Sequence, residues 1–276
     1  MISELRQKYK LSDLIKIADI PRSTYYRYEK VDKYADIKDQ MKKIFKENNQ
    51  RVGYRRMTLE LHNQGFHINH KTVQRLMKQA GLICLVRMKK YRSYKGEVGK
   101  IAANLLNREF HAEKPNEKWV TDVTEFSLFG RKLYLSTILD LYNGEIISYT
   151  FAYHPRFSLI TDMIKSAFEQ IADNTNLILH SDQGWQYQMK KYQSMLITKG
   201  IRQSMSRKGN CLDNAVMENF FGHLKSELLY LQTFQSMEHF IDEMVEYIDY
   251  YNNRRIKVKL KGLSPVNYRI QSSLVA

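Results

Sequence analysis

Apolar residues in the first third of the chain recur at spacings of three and four. Ile37, Met41, Ile44 and Phe45 form one such stripe, and Val73, Leu76 and Met77 another, as expected of helices that bury one face. Between them, a helix carrying Arg55 and Arg56, with Leu59 and Leu61 among its apolar positions, starts after Gly53 and breaks at Gly65. Asn69 is placed to cap the next helix, whose outward positions are Lys71, Gln74, Arg75 and Lys78, and Gly81 ends it. Nearer the start, Ser12 is placed to cap a helix with Leu14, Ile15 and Ala18 on one face, and Pro21 opens a second over Arg22–Tyr28. This pattern predicts a small helix-turn-helix-like module over 1–31 and a second helical module over 35–85. A plain helical hairpin fits the first equally well.

From Trp119 the period shortens. Trp119–Leu128 is rich in β-branched and aromatic residues, a turn follows at Phe129-Gly130, and Leu133–Leu141 forms the next strand. Asn143-Gly144 is a strong hairpin signal before a third strand over Glu145–Tyr153. A helix over about 159–172, a short apolar strand at Leu177–Leu179, a helix over about 189–199 and a strand near 201–205 come next. Asp213 or Asn214 then caps a long helix containing Glu218. The order predicts an α/β RNase H-like catalytic core over 115–235, preceded by small all-α helix-turn-helix modules. A basic linker over 86–114 and a C-terminal helix with a basic tail over 236–276 complete the chain.

Charge sharpens this division. The 276 residues carry a formal charge of +15. Residues 1–114 hold 26 Lys and Arg against 12 Asp and Glu, whereas 115–276 hold 18 against 17. A basic front half suits a polyanion, and double-stranded DNA is the first candidate because phosphate neutralisation releases counterions. The contact candidates are Arg55, Arg56, Lys71, Arg75 and Lys78 on the helices, Arg87, Lys89 and Lys90 in the linker, and Arg254 and Arg255 in the tail. A solvated surface is the plainer account of each. No long apolar run, signal peptide or cysteine pair is visible, so a cytoplasmic protein with no membrane association is expected.

Three acids carry the candidate chemistry. Asp122 is a charge within an apolar strand, costly unless paired or metal-bound. Asp182 stands just past a buried strand, where open sheets place ligand-binding groups. Glu218 follows after 35 intervening residues, on a helix face shared with Asn214, Gly222 and Lys225. Three converging carboxylates repel one another unless a divalent cation intervenes, and hard oxygen ligands favour Mg²⁺ or Mn²⁺.

The motifs are Trp119-Val120-Thr121-Asp122, His180-Ser181-Asp182-Gln183-Gly184, and the run from Ser204 through Glu218 to Lys225 and Glu227, with Tyr251-Asn252-Asn253-Arg254-Arg255 and Leu263-Ser264-Pro265 in the tail. Together they resemble those of the OrfB-type DDE transposases of the IS-three insertion-sequence family, whose core is similar to that of retroviral integrases. The resemblance implies Asp122, Asp182 and Glu218 as catalytic residues and ligands of two Mg²⁺ ions, and Lys225 as a contact to the element's end. It implies strand cleavage and 3′-OH strand transfer on element ends and target DNA, by a dimer or higher multimer. Family members usually arise by frameshift fusion to an upstream frame that supplies a helix-turn-helix and a zipper. Lacking zipper heptads, this chain resembles the downstream product, for which an upstream-frame protein is an expected partner. A DNA-binding relative that does not cleave is the alternative.

Other chemistries fit less well. His62, His67 and His70 have no accompanying cysteine pair for zinc. His180-Ser181-Asp182 is adjacent in sequence, whereas hydrolase triads are assembled from separated positions. Trp185 and Tyr187 are candidates either for stacking on a splayed base or for packing on the sheet.

Overall fold

A computed structural model describes residues 5, 8–28, 32, 34–86, 101–207 and 211–275. The chain divides into two compact units, Met1–Ile83 and Cys84–Ala276.

The first unit is helical. Helices α1 (Leu11–Ile17) and α2 (Arg22–Tyr28) are short, and α3 (Ala35–Glu47), α4 (Tyr54–Asn63) and α5 (His70–Gln79) follow. Met41, Ile44, Met57, Leu61, Val73 and Leu76 close a dry core among the last three, as the apolar spacing predicted. Asn69 caps α5, its Oδ1 accepting from Lys71 N at 2.8 Å. Ser12 is not a cap: α1 starts at Leu11 with Lys10 at the cap position, and the Ser12 hydroxyl donates to Asp13 instead.

The second unit is built on a five-stranded sheet in the order β3-β2-β1-β4-β5. Strands β1 (Lys118–Leu128), β2 (Arg131–Asp140) and β3 (Ile146–Ala152) form the antiparallel meander, and β4 (Ile178–Ser181) and β5 (Arg202–Met205) run parallel to β1. Alternation along β1 sends Val120 and Phe126 to one face and Trp119 to the other. Against the first face pack α8 (Ala215–Leu224) and α9 (Met237–Asn253), through Phe220, Leu224, Phe240 and Tyr247. Against the second pack α6 (Phe157–Phe168) and α7 (Lys190–Lys199), through Ile160, Ile164, Tyr192 and Leu196. The long helix expected around Glu218 changes its coil: after Leu224 it widens into a π-turn over Lys225–Leu229.

Two segments are tied down more firmly than their composition suggests. In the later part of the expected linker, Ala102, Ala103 and Leu105 are hydrogen-bonded along the β5 edge, with Leu105 N donating to Ser204 Oγ at 2.9 Å. The C-terminal region is equally fastened. The Asn252 amide mimics a strand partner for β3, accepting from Ile146 N and donating to Ile146 O, both at 2.9 Å. Arg269, on α10 (Pro265–Val275), pairs with buried Asp140. No helix among the described residues is long and apolar enough to cross a membrane.

Candidate active site

Strand register brings the two aspartates together. Thr121 pairs with Ser181 in the parallel β1–β4 ladder, so Asp122 and Asp182 stand one residue further along neighbouring strands, which run about 4.8 Å apart. Asp122 shares the face of Val120 and Phe126, the face that α8 covers, and Glu218 lies in the first turn of that helix. A carboxylate there is favoured by the unpaired N–H groups of the helix start.

The acids feel one another. Burial pushes the Asp122 carboxyl well above the usual carboxylate range, and the charges of Asp182 and Glu218 push it further. The Val123 N–H, bonded to Asp122 Oδ1 at 2.7 Å, and the Lys225 cation oppose the rise. Burial also raises Asp182, against a hydrogen bond from Gly184 N at 2.9 Å. Lys225 is lowered by burial, with Asp122 opposing, and its Nζ lies 5.6 Å from the centre of the Phe126 ring. Tyr187 and Tyr192 pack behind the acids with fully buried hydroxyls whose pKa values burial raises. Tyr187 is therefore a core residue, whereas Trp185, three positions past Asp182 in the chain, is 54 % exposed.

The donor set suits a hard divalent cation. All three side chains offer carboxylate oxygens, the repulsion felt by Asp122 calls for a compensating charge, and the amide on Asp122, that of Asn214, has a buried Oδ1 without a hydrogen-bond partner. Among the described residues no three His, Cys, Asp or Glu side chains are already gathered as a closed metal-binding group. The carboxylates are neighbours in charge, short of a finished cage.

Asp213 or Asn214 is the cap that the sequence suggests for α8; Asn214 stands at that position without a side-chain cap bond, and Asp213 is held by partners elsewhere. Asp213 is buried and accepts from Arg207 N and Nε, both at 3.0 Å, from Arg108 Nε at 2.9 Å and from Asn104 Nδ2 at 3.0 Å. Although burial acts the other way, the Arg207 and Arg108 guanidiniums hold its carboxyl well below the usual range. Its neighbour Asn214 donates from Nδ2 to Asp122 Oδ2 at 3.0 Å.

The expected DNA contacts divide. Lys71, Arg75 and Lys78 are exposed on α5, with the Arg75 guanidinium 5.8 Å from the centre of the Tyr34 ring. Arg55 is exposed beside Tyr54, whereas half-buried Arg56 donates to Arg51 O at 2.5 Å. Arg87, Lys89 and Lys90 lie outside the described residues. Arg254 is exposed and pairs with Asp249 at 3.1 Å. Arg255 does not meet the expectation of a DNA contact: it is 7 % exposed and both sides of its guanidinium fork are taken by Glu227. His62 Nε2 lies 2.8 Å from Ile68 O, a partner that accounts for it without zinc.

Sheet order, register and helical cover define an RNase H-like α/β core of the integrase type, with helix-turn-helix-like helices ahead of it. Family models described as integrase core domain match residues 112–211 and 218–273, and one described as HTH-like domain matches residues 33–91. The chain is 54 % identical over 276 residues to InsK of insertion sequence element IS150 of Escherichia coli K12, covering 99 % of this chain and 98 % of that protein. It is 34 % identical over 239 residues to the transposase for insertion sequence element IS904 of Lactococcus lactis, covering 86 % and 94 %. It is 34 % identical over 230 residues to transposase InsF for insertion sequence IS3A of E. coli K12, covering 81 % and 78 %. Among solved structures, the HTLV-2 integrase catalytic core domain in complex with magnesium, in trimeric form, is similar at a TM-score of 0.44 and 15 % identity, covering 57 % of this chain and 98 % of that one. The chain belongs to the insertion-sequence transposases with an integrase core domain, the IS3 family.

Proposed function

We propose that the chain is a DDE transposase subunit that binds the ends of its insertion sequence, cleaves a strand at the element's 3′ end and joins that end to target DNA. The observation that carries this reading is the β1–β4 register that sets Asp122 beside Asp182, with Glu218 in the first turn of the helix that covers the Asp122 face. Asp122, Asp182 and Glu218 would hold two Mg²⁺ or Mn²⁺ ions. When bound, such ions activate an attacking oxygen and stabilise a leaving one.

The chain's own groups supply position and charge. Asp122 and Asp182 are fixed by the β1–β4 register, and Glu218 by the packing of α8 on that face. Lys225 gives a cation beside the acids for the phosphate of the terminal nucleotide. In the first step water displaces the 3′ oxygen of the element's end from its phosphate. In the second the freed 3′-OH displaces a 3′ oxygen of the target strand. Each is an oxygen-for-oxygen exchange at phosphorus, so one site serves both and no protein–DNA bond forms. Lys71, Arg75 and Lys78 on α5, with Arg55, contact the duplex, and pairing of two ends calls for a dimer or higher multimer on DNA. An upstream-frame partner and cytoplasmic action belong to the same reading.

Labelled duplexes from the flanks of the coding sequence, incubated with protein and Mg²⁺ or Mn²⁺, test it. Strand cleavage that is lost in Glu218→Gln supports the reading. Cleavage that survives this substitution refutes the site, and binding without cleavage by either form points to a DNA-binding regulator.

A further inference from the structure

Asn214 joins the acid on the sheet to the helix that carries the acid above it. It is 5 % exposed, and its Nδ2 donates to Asp122 Oδ2 at 3.0 Å. The other oxygen, Asp122 Oδ1, accepts from Val123 N. Both carboxylate oxygens are therefore held, one by β1 itself and one by the start of α8. Asn214 also occupies the N-cap position of α8, where an asparagine usually accepts a hydrogen bond from the helix N–H groups; here its side chain makes none. The Oδ1 that would accept it is buried without a hydrogen-bond partner. The Asn214 amide is thus engaged with Asp122 and not with the start of its own helix. The preceding residue is fixed as well, because Asp213 is clamped by Arg207, Arg108 and Asn104. Glu218 lies one turn on, four residues from Asn214, so the amide and the glutamate share a helix face.

Resting on the metal-dependent reading above, we propose that Asn214 is a positioning residue of the acid site: its amide presets the Asp122 carboxylate for a divalent cation and couples it to the helix bearing Glu218. An amide does this without adding a fourth negative charge to three that already repel. Groups that orient a metal-binding carboxylate from behind typically contribute roughly 10–100-fold to metal affinity.

The test is Mn²⁺ binding to the full-length chain without DNA, read from the electron paramagnetic resonance of the free ion. Unmodified chain is compared with Asn214→Ala, Asn214→Ser and Glu218→Gln. Serine is a good cap but too short to reach Asp122, so Asn214→Ser keeps or gains thermal stability while losing the positioning contact. Both Asn214 variants are expected to bind Mn²⁺ about 10–100-fold more weakly. A purely structural role for Asn214 leaves the affinity of the serine variant unchanged, and that result overturns the inference. If Glu218→Gln alone weakens binding, the inference fails and the metal-dependent reading stands. If the unmodified chain does not bind Mn²⁺, both fall.

Discussion

Arg255 grips Glu227 inside the molecule, donating from Nε to Oε2 at 2.8 Å and from Nη2 to Oε1 at 2.7 Å, with side chains 8 % and 1 % exposed. The Tyr247 hydroxyl donates to the same Oε2 at 3.1 Å. The pair fastens the chain just past α9 to the π-turn that begins at Lys225. Removing one partner of a buried pair strands the other charge, at about 3–5 kcal/mol. Arg255→Ala is expected to lose about that much stability, a fall of roughly 10 °C in Tm for a chain of this size. Thermal and urea melts measure it, and a melt matching the unmodified chain would show that the pair contributes nothing.

The acids themselves should cost stability until a cation arrives. Burial and two neighbouring negative charges oppose the ionised form of Asp122. Asp122→Asn removes that repulsion, and in a chelator the variant is expected to melt a few degrees above the unmodified chain while losing cleavage. Mn²⁺ at about 100 times its dissociation constant should stabilise the unmodified chain by about 2.7 kcal/mol and the variant by much less. Equal cation-induced shifts in the two proteins would remove Asp122 from the metal site.

Lys257 predicts an alkaline rise in stability. Its Nζ donates to Gly144 O at 3.0 Å and Tyr251 OH at 2.8 Å, and burial, aided by the Arg255 charge, pushes its pKa down to about 7 from 10.5. Between those values the unfolded chain holds a proton that the folded chain does not, so stability rises with pH; below the lower value both forms are protonated and the rise is absent. Tyr251, raised by burial from 10.0, acts oppositely above that value, which leaves pH 7 to 10 as the informative window. Urea midpoints across this window should climb less steeply in Lys257→Met. Identical slopes would contradict the depressed lysine.

Much of the placement of the candidate site's residues was legible because its signals are local. A charged Asp122 within a β-branched run, Asp182 after a short apolar strand and Glu218 on an amphipathic helix follow from periodicity, and the Asn143-Gly144 turn and Asn69 cap from side-chain chemistry. What stayed hidden depends on partners far away in the chain. Arg255 reads as a surface charge until Glu227, 28 residues earlier, is seen to enclose it. Arg108 and Asn104 sit in a basic stretch that looks like a linker, yet their partner Asp213 is more than 100 residues distant. The π-turn that follows Leu224 was not legible, because apolar spacing marks a helix without telling where its coil widens.

Burial separates the two kinds of candidate DNA-contact residue. Lys71 and Lys78 are exposed on α5, a helix whose opposite side is committed to the core through Val73, Leu76 and Met77. Each phosphate contact contributes about 0.9 to the slope of log affinity against log salt on duplex DNA. Lys71→Ala and Lys78→Ala are therefore each expected to lower the magnitude of that slope by about 1, weakening binding to all sequences alike. Arg255→Ala, compared below its melting temperature, should leave the slope where it was, because its charge is already spent on Glu227. Fluorescence anisotropy of a labelled duplex from 50 to 200 mM salt, roughly the range over which such contacts are felt, distinguishes the two cases. A slope altered by Arg255→Ala and unmoved by the two lysine variants would transfer the proposed DNA-binding surface from α5 to the tail.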